Sequence, residues 1–350
     1  MNGDVLVLGI ETSCDETAAS VVKNGRDVLS CEISSQFDQH RVYGGIVPEI
    51  ASRRHMELIE YTVNEALACA GVKRERVACV AVTNGPGLVG SLLVGLSYAK
   101  ALGFSWNIPF IGVNHIKAHI FANFIGNDVC VPPFLCLVVS GGHTHLFKVY
   151  DYDRLTVIGR TMDDAAGEAF DKVSRTLGLT YPGGPAIDNA AKRGNPKAFS
   201  FPKANMKEYD FSFSGLKSAV INVINQYKLK NQPIPVEDIA ASFQQTVVDV
   251  LCDKIFKGLA EYGFNKAALA GGVAANSLLR SVLRERCHSN GIELYMPLPV
   301  YCTDNGAMTA SCGYYEYLKG NYSGINMNAF PNLTFSFEGE NQCNPNLTGC

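Results

Sequence analysis

Short apolar runs recur along the chain, each closed by a polar or glycine-rich turn, and this pattern predicts buried strands at 5–10, 18–22, 77–82, 110–113, 134–140, 145–150, 267–270 and 293–296. Longer stretches with apolar positions three and four apart predict helices. These run from Glu49 to about Ala70, from after Gly90 through Leu102, from His115, over 161–172 and on to Gly178, around Asp188, after Lys217, over Val236–Tyr262, from Ser277, and from Asp304 to about Leu318. Arg53, Arg54 and His55 are expected on a solvated face of the first of these helices. From Gly320 the chain turns polar and asparagine-rich, as a loosely packed tail would.

One arrangement occurs twice. The run 5–10, the polar segment Glu11-Thr12-Ser13-Cys14-Asp15-Glu16-Thr17 and the run 18–22 read as strand, polar turn, strand. About 130 residues on, 134–140, Gly141-Gly142-His143-Thr144 and 145–150 repeat it. At 350 residues the chain suits two α/β domains, and the repeat makes them related lobes that each open with a hairpin. Lobe I is expected over 1–128 and lobe II over 129–300, with a helix at 301–320 and the tail at 321–350.

Composition narrows the partners. Lys and Arg number 30 against 33 Asp and Glu, a net charge of -3, so no global positive field advertises a nucleic acid. Any RNA contact needs a local basic patch. The best stretch lies between Asp188 and Glu208, where Lys192, Arg193, Lys197, Lys203 and Lys207 interleave with Phe199 and Phe201 and no acid intervenes. A solvated loop accounts for it equally well. The 12 cysteines include no C-x-x-C pair and are expected as reduced thiols of a cytoplasmic protein. No apolar run approaches the ~18 residues of a membrane span, and the sequons at Asn321, Asn332 and Asn346 carry no meaning without a secretory route.

Candidate chemistry starts at His115-x-x-x-His119, where two imidazoles four residues apart share a helix face and can chelate one divalent metal. Packed core histidines are the plainer alternative. The turn 11–17 combines carboxylates and hydroxyls that suit a phosphate or a metal-bound water, and it also reads as an ordinary hairpin tip. Gly85-Pro86-Gly87-Leu88-Val89-Gly90 has the form of a dinucleotide fingerprint, but no acid occurs between Glu75 and Asp128 to bind the ribose, so a tight turn and close helix packing explain the glycines better. Gly271-Gly272 directly after a strand would let a nucleoside lie on bare backbone, with Asn276 able to reach a ribose or base edge. Asp304 opens its helix and reads locally as a cap.

Taken together, the segments 9–17, Gly85-Pro86-Gly87-Leu88, His115-x-x-x-His119, Val139-Ser140-Gly141-Gly142-His143-Thr144, 163–172, Tyr181-Pro182-Gly183-Gly184-Pro185, 211–217, Gly271-Gly272-Val273 and Thr303-Asp304-Asn305-Gly306 resemble the TsaD family. These are threonylcarbamoyl transferases that modify tRNA, once described as O-sialoglycoprotein endopeptidases. The resemblance runs over 5–318; Asn114 stands where the family often has His, beside the metal pair. It implies an actin-like ATPase fold with a ligand cleft between its lobes, and transfer of the threonylcarbamoyl group from threonylcarbamoyl-AMP to N6 of the adenosine 3′ of the anticodon in tRNAs reading codons that begin with A. It further implies that His115, His119 and Asp304 hold iron or zinc, the 301–320 helix returning to lobe I with the third ligand. Val138, Val139, Ser140, Gly141, Gly142, Asp171, Gly184, Asp188 and Asn276 would line the adenylate site, for threonylcarbamoyl-AMP or for ATP or ADP. Asp15 and Glu16 are the candidates to assist the weakly nucleophilic amine. TsaB-like and TsaE-like proteins are the implied partners, with a separate synthase supplying the substrate. Two rival readings are a metallopeptidase, which lacks the general-base Glu of H-E-x-x-H because Ile116 stands there, and a nucleotide-binding scaffold without chemistry.

Overall fold

The computed structural model describes residues 3–335. The chain divides into two compact units, one formed by the described residues of Met1–Val131 and Val300–Cys350, the other by Pro132–Pro299. The first unit begins with strands β1 (Leu6–Glu11), β2 (Glu16–Lys23) and β3 (Asp27–Ser35). Helices α1 (Phe37–Arg41) and α2 (Pro48–Cys69), strand β4 (Val77–Gly85), helix α3 (Val89–Trp106), strand β5 (Phe110–Asn114) and helix α4 (His115–Phe121) follow. Its sheet has the order β3-β2-β1-β4-β5, with β1 antiparallel to β2 and parallel to β4.

The second unit contains β6 (Phe134–Val139), β7 (Thr144–Val149) and β8 (Leu155–Arg160), then α5 (Ala166–Thr176), α6 (Gly183–Ala191), α7 (Ser214–Leu229) and α8 (Val236–Tyr262). It closes with β9 (Lys266–Ala270), α9 (Ser277–Ser289) and β10 (Glu293–Tyr295). The order β10-β9-β6-β7-β8 reproduces the first sheet strand for strand, antiparallel at β6/β7/β8 and parallel at β6/β9/β10. Helix α10 (Gly306–Leu318) then lies in the first unit.

Physical reasons for this frame are local. Every residue of β1 and β6 is buried, as expected of central strands covered on both faces, which is why they read as unbroken apolar runs rather than alternating ones. On β1, one covering element is α10, and it comes to backbone contact: a Cβ at Gly9 would stand 2.1 Å from the Gly306 carbonyl, and one at Gly313 would stand 2.3 Å from the Ala81 Cβ. Strands β3 and β8 were not expected. β3 lies at the sheet edge and mixes polar with apolar residues, Asp27-Val28-Leu29-Ser30-Cys31-Glu32, so its hydrophobic signal is weak.

Four expectations need correction. The helix expected from 161 begins at Ala166, because Asp163 is engaged elsewhere: its Oδ1 accepts from the amides of Phe213 (2.9 Å) and Ser214 (3.3 Å) at the start of α7. His55 is not solvated but wholly buried, in phase with Ala51, Ile59, Val63 and Ala66 on the inner stripe of α2. The tail is not loose over its described part: Met327 and Ala329 pack against the core, and the amides of Phe330 and Ser323 bond the carbonyls of Asn84 (2.8 Å) and Phe110 (3.0 Å). The basic stretch is not a free stripe either, since Lys203 lies 3.1 Å from Asp249 and 3.6 Å from Asp253 on α8, and Arg193 lies 3.3 Å from Glu237. Residues 336–350, with the Asn346 sequon and the rest of the expected tail, lie outside the described residues. Among the described residues no helix is long and apolar enough to cross a membrane.

Candidate metal centre

The two histidines sit on α4, which opens directly from the end of β5. Asn114 makes that abrupt change possible: extended itself, it accepts from the amides of Ile116 (2.9 Å) and Lys117 (3.1 Å) and so caps the helix. His115 and His119 therefore leave the first turn on one face, both buried, with ring centroids 4.6 Å apart. The third group arrives just before α10. There Asn305 is the N-cap, its Oδ1 accepting from the Met308 amide at 2.9 Å, so the capping role expected of Asp304 belongs to its neighbour. Asp304 Oδ1 instead lies 3.1 Å from His119 Nε2 and 3.6 Å from His115 Nε2.

One nitrogen or oxygen from each of His115, His119 and Asp304 lies within 4.8 Å of the others, a grouping that small shifts would bring onto one ion. At metal–ligand distances near 2.1 Å, neighbouring donors are roughly 3–3.4 Å apart. His119 supplies an independent sign. It is 1% exposed, yet neither ring nitrogen makes a well-directed hydrogen bond: Nε2 has only the Asp304 carboxylate at 3.1 Å, a condition that costs about 1–3 kcal/mol unless something else occupies the lone pair. The donor set of two imidazoles and one carboxylate fits a divalent ion with coordination positions left for a ligand.

Glu11, the last residue of β1, stands behind His115. It is fully buried, with Oε1 accepting from the Ser13 amide (2.6 Å) and Oε2 from the Thr83 hydroxyl (2.5 Å), while His115 Nδ1 lies 3.2 Å from Oε2. Burial alone would raise the Glu11 carboxyl and depress the imidazole. Neighbouring charges reverse both: His115 holds Glu11 below the usual carboxylate range, and Asp304, then Glu11, push His115 up to about 9. With Nδ1 directed at a carboxylate, Nε2 is the nitrogen left to face an ion. Sequence reading placed Glu11 among the polar residues of the turn 11–17 and gave it no part in holding His115. The available signal was an acid closing an otherwise continuous buried strand.

Beyond β1, Asp15 in the turn and Glu16 at the start of β2 are both half-buried. Burial, then the charges of Asp15 and Asp304, push Glu16 up to about 10. The glycines after β4 serve close packing: at Gly87 a Cβ would lie 2.6 Å from the Ser13 carbonyl, and the Leu88 amide bonds that carbonyl at 2.8 Å.

In the second unit, Ser140, Gly141 and Gly142 form the turn after β6. It closes on itself through Ser140 N to the His143 carbonyl at 2.8 Å, and a Cβ at either glycine would meet nothing within 4 Å. Val138 and Val139 are strand residues with wholly buried side chains. Asp171 Oδ1 accepts from the Gly183 amide at 2.6 Å, which fixes the start of α6, and Gly184 next to it faces open space. Asp188 accepts from the Ser277 hydroxyl at 2.7 Å. Asn276 is engaged within the protein: Oδ1 caps α9 through the Leu279 amide (3.0 Å), and Nδ2 bonds Gln244 Oε1 (2.9 Å) and Asp188 Oδ1 (3.4 Å). Its amide thus also reaches Asp188. The structure thus brings together the three expected metal ligands within the first unit, and Asp188 with Asn276 within the second.

Two five-stranded sheets of one strand order, each opening with a hairpin, define the actin-like ATPase class. Solved structures agree on the fold. Full-length HypF in a phosphate- and nucleotide-bound form superposes with TM-score 0.60 at 17% identity, over 92% of this chain and 57% of that one. Component A of the Acidaminococcus fermentans (R)-2-hydroxyglutaryl-CoA dehydratase gives 0.52 at 17% identity, over 90% of this chain and 99% of that one. Sequence relatives are far nearer. The sequence model of TsaD, tRNA N6-adenosine threonylcarbamoyltransferase, matches residues 27–311. Proteins of that name from Clostridioides difficile strain 630 and Caldicellulosiruptor saccharolyticus are each 54% identical, over 94% of this chain and 98% of theirs; one from Clostridium perfringens strain SM101 is 56% identical over 94% and 97%. The chain belongs to the TsaD family. It is a transferase that forms N6-threonylcarbamoyladenosine in tRNA.

Proposed function

We propose that this chain carries out the transfer with one divalent ion, iron(II) or zinc, on His115, His119 and Asp304, acting on threonylcarbamoyl-AMP and on the adenosine 3′ of the anticodon in tRNAs that read codons beginning with A. The observation that carries the metal assignment is the convergence of one donor atom from each of His115, His119 and Asp304, with no well-directed hydrogen bond to either nitrogen of His119. An ion there would supply Lewis acidity and a template for the oxygens of the mixed anhydride.

The remaining roles fall to the chain's own groups. The N6 amine forms a bond to the carbamoyl carbon, the carbon–oxygen bond to AMP breaks, and the amine gives up a proton. Asp15 accepts that proton, and the protonated Glu16 beside it donates to oxygen. Ser140, Gly141 and Gly142 offer amides along an open turn to phosphate or carbonyl oxygen. Asp188, steadied by Ser277 and Asn276, holds the ribose; Asp171 fixes the Gly183-Gly184 turn along which the adenylate, or ATP or ADP, lies. Val138 and Val139 contribute backbone only. TsaB-like and TsaE-like proteins assist, a separate synthase supplies threonylcarbamoyl-AMP, and the reaction takes place in the cytoplasm, in keeping with ten free cysteines among the described residues.

The test is nucleoside analysis of unmodified tRNA incubated with this protein, its partners and threonylcarbamoyl-AMP. The doubly substituted His115→Ala/His119→Ala protein should form the nucleoside at least ~10³-fold more slowly, several kcal/mol of transition-state stabilisation being at stake. Its metal content should fall from one ion per chain to none. Equal rates would remove the metal from the reaction.

A further inference from the structure

Three successive carbonyls of the turn that bears Asp15 are each held by a donor from a different part of the first unit. The Ser13 carbonyl accepts from the Leu88 amide (2.8 Å), that of Asp15 from the Gln36 amide (3.1 Å), and that of Cys14 from a side chain, His55 Nε2, at 3.0 Å. The two backbone donors come with the fold. His55 is a residue choice, and it is a demanding one: the ring is wholly buried in α2, where burial lowers its proton affinity and keeps it neutral.

The surrounding bonds admit one tautomer. A carbonyl can only accept, so Nε2 carries the hydrogen and Nδ1 carries the lone pair. Nδ1 in turn lies 2.8 Å from the Thr17 hydroxyl and 3.4 Å from Gln36 Nε2, both able to donate. Gln36 Oε1 is 3.2 Å from His40 Nε2, and His40 Nδ1 accepts from the Val47 amide at 3.3 Å, so the same assignment continues through a second buried histidine without a conflict. One imidazole therefore grips the chain on both sides of the two acids, at Cys14 before them and at Thr17 after them.

We infer that His55 is a positioning residue for the transfer, fixing through the Cys14 carbonyl the turn conformation that presents the Asp15 carboxylate. The inference rests on the reading of Asp15 as proton acceptor, and its test keeps the two apart. It compares His55→Gln with His55→Asn. Glutamine places an amide NH2 where Nε2 stands and can still donate to the Cys14 carbonyl; asparagine reaches only the position of Nδ1. Two quantities are measured: the rate of nucleoside formation with partners, threonylcarbamoyl-AMP and unmodified tRNA, and deuterium uptake by the peptide spanning 12–18.

His55→Asn should lower the maximal rate on the order of 10²-fold, the effect of displacing a reacting group by about 1 Å. It should leave KM for tRNA unchanged and speed exchange in the peptide. His55→Gln should recover the rate to within about tenfold of the original, the worth of one neutral hydrogen bond, and restore slow exchange. Equal rates for the two variants, or a loss confined to KM, overturn the inference. Should His55→Asn not fold, Thr17→Val removes only the hydroxyl that steadies Nδ1; a drop of up to about tenfold supports the clamp and an unchanged rate overturns it. Asp15→Asn tests the other claim alone. If it is fully active the proton-acceptor reading falls, and the exchange difference between the His55 variants still decides whether the imidazole holds the turn.

Discussion

The turn 12–15 after β1 and the turn 140–143 after β6 occupy the same place in the same strand order, yet they are built on opposite plans. The first is crowded with side chains, and its carbonyls are tied down from outside by Leu88, His55 and Gln36. The second closes on itself through Ser140 and His143 and presents two glycines to open space. A duplicated scaffold thus offers braced acids in one copy and bare backbone in the other. The first plan suits proton handling, where a carboxylate's direction matters. The second suits a broad anionic group that needs amides and room.

The largest way to disturb this contrast is at Gly271. It sits at φ +91°, and a Cβ there would be 2.4 Å from the Val139 carbonyl at the root of the second turn. Gly271→Val should cost about 3 kcal/mol or more through strain and overpacking, read as a lower denaturation midpoint. Gly142→Ala, in open space, should leave stability within about 0.5 kcal/mol. Equal losses would mean that the second turn is not the open structure described.

Next comes the bracing of the first unit. Glu11→Gln keeps the hydrogen bonds to Ser13 and Thr83 available but removes the charge that orients His115. It should weaken the metal about 10–100-fold in a chelator competition. An unchanged affinity would show that Glu11 serves packing alone.

A smaller effect separates the units by pH. His145, on β7 beside the second turn, is pushed down to about 4 by burial, with Arg160 adding repulsion, and its Nδ1 has no partner. An unfolded histidine titrates near 6.5, so on acidification the unfolded chain binds the proton first. The stability associated with a neutral His145 is fully present above pH ~6.5 and is lost as pH falls towards 4. Melting temperatures of the wild-type protein should therefore drop more steeply between pH 7.5 and 5 than those of His145→Gln. Parallel curves would refute the buried-neutral state. The smallest effect is expected at Lys203, already paired with Asp249 and Asp253. Lys203→Ala should change tRNA affinity by less than about twofold; a loss near tenfold would restore the stretch 192–207 as an RNA contact.

What could be read from the sequence follows from how each signal is encoded. Central strands, the hairpin repeat and the His115/His119 spacing are periodic and local, and they matched the fold. Strand β3 was missed because an edge strand with polar residues on both faces has no apolar run. The segment 161–165 misled because its acids fit a helix equally well, and only the distant start of α7 shows what Asp163 does. His55 was misplaced by its neighbours Arg53 and Arg54. The four-residue spacing of Ala51, His55, Ile59 and Val63 carried the right answer, and the charges beside it obscured it. Asp304 was reachable only through family resemblance, since nothing local separates a ligand from a cap.

Helix α10 and the residue before it have a consequence for synthesis. The two histidines leave the ribosome with the first sheet, but Asp304 and the helix that seats against Gly9 come only after the entire second unit has been translated. A nascent chain stopped anywhere before Asp304 holds two of the three proposed ligands and a first sheet without α10 on its face. Tight capture of the proposed ion then waits until α10 has returned to β1.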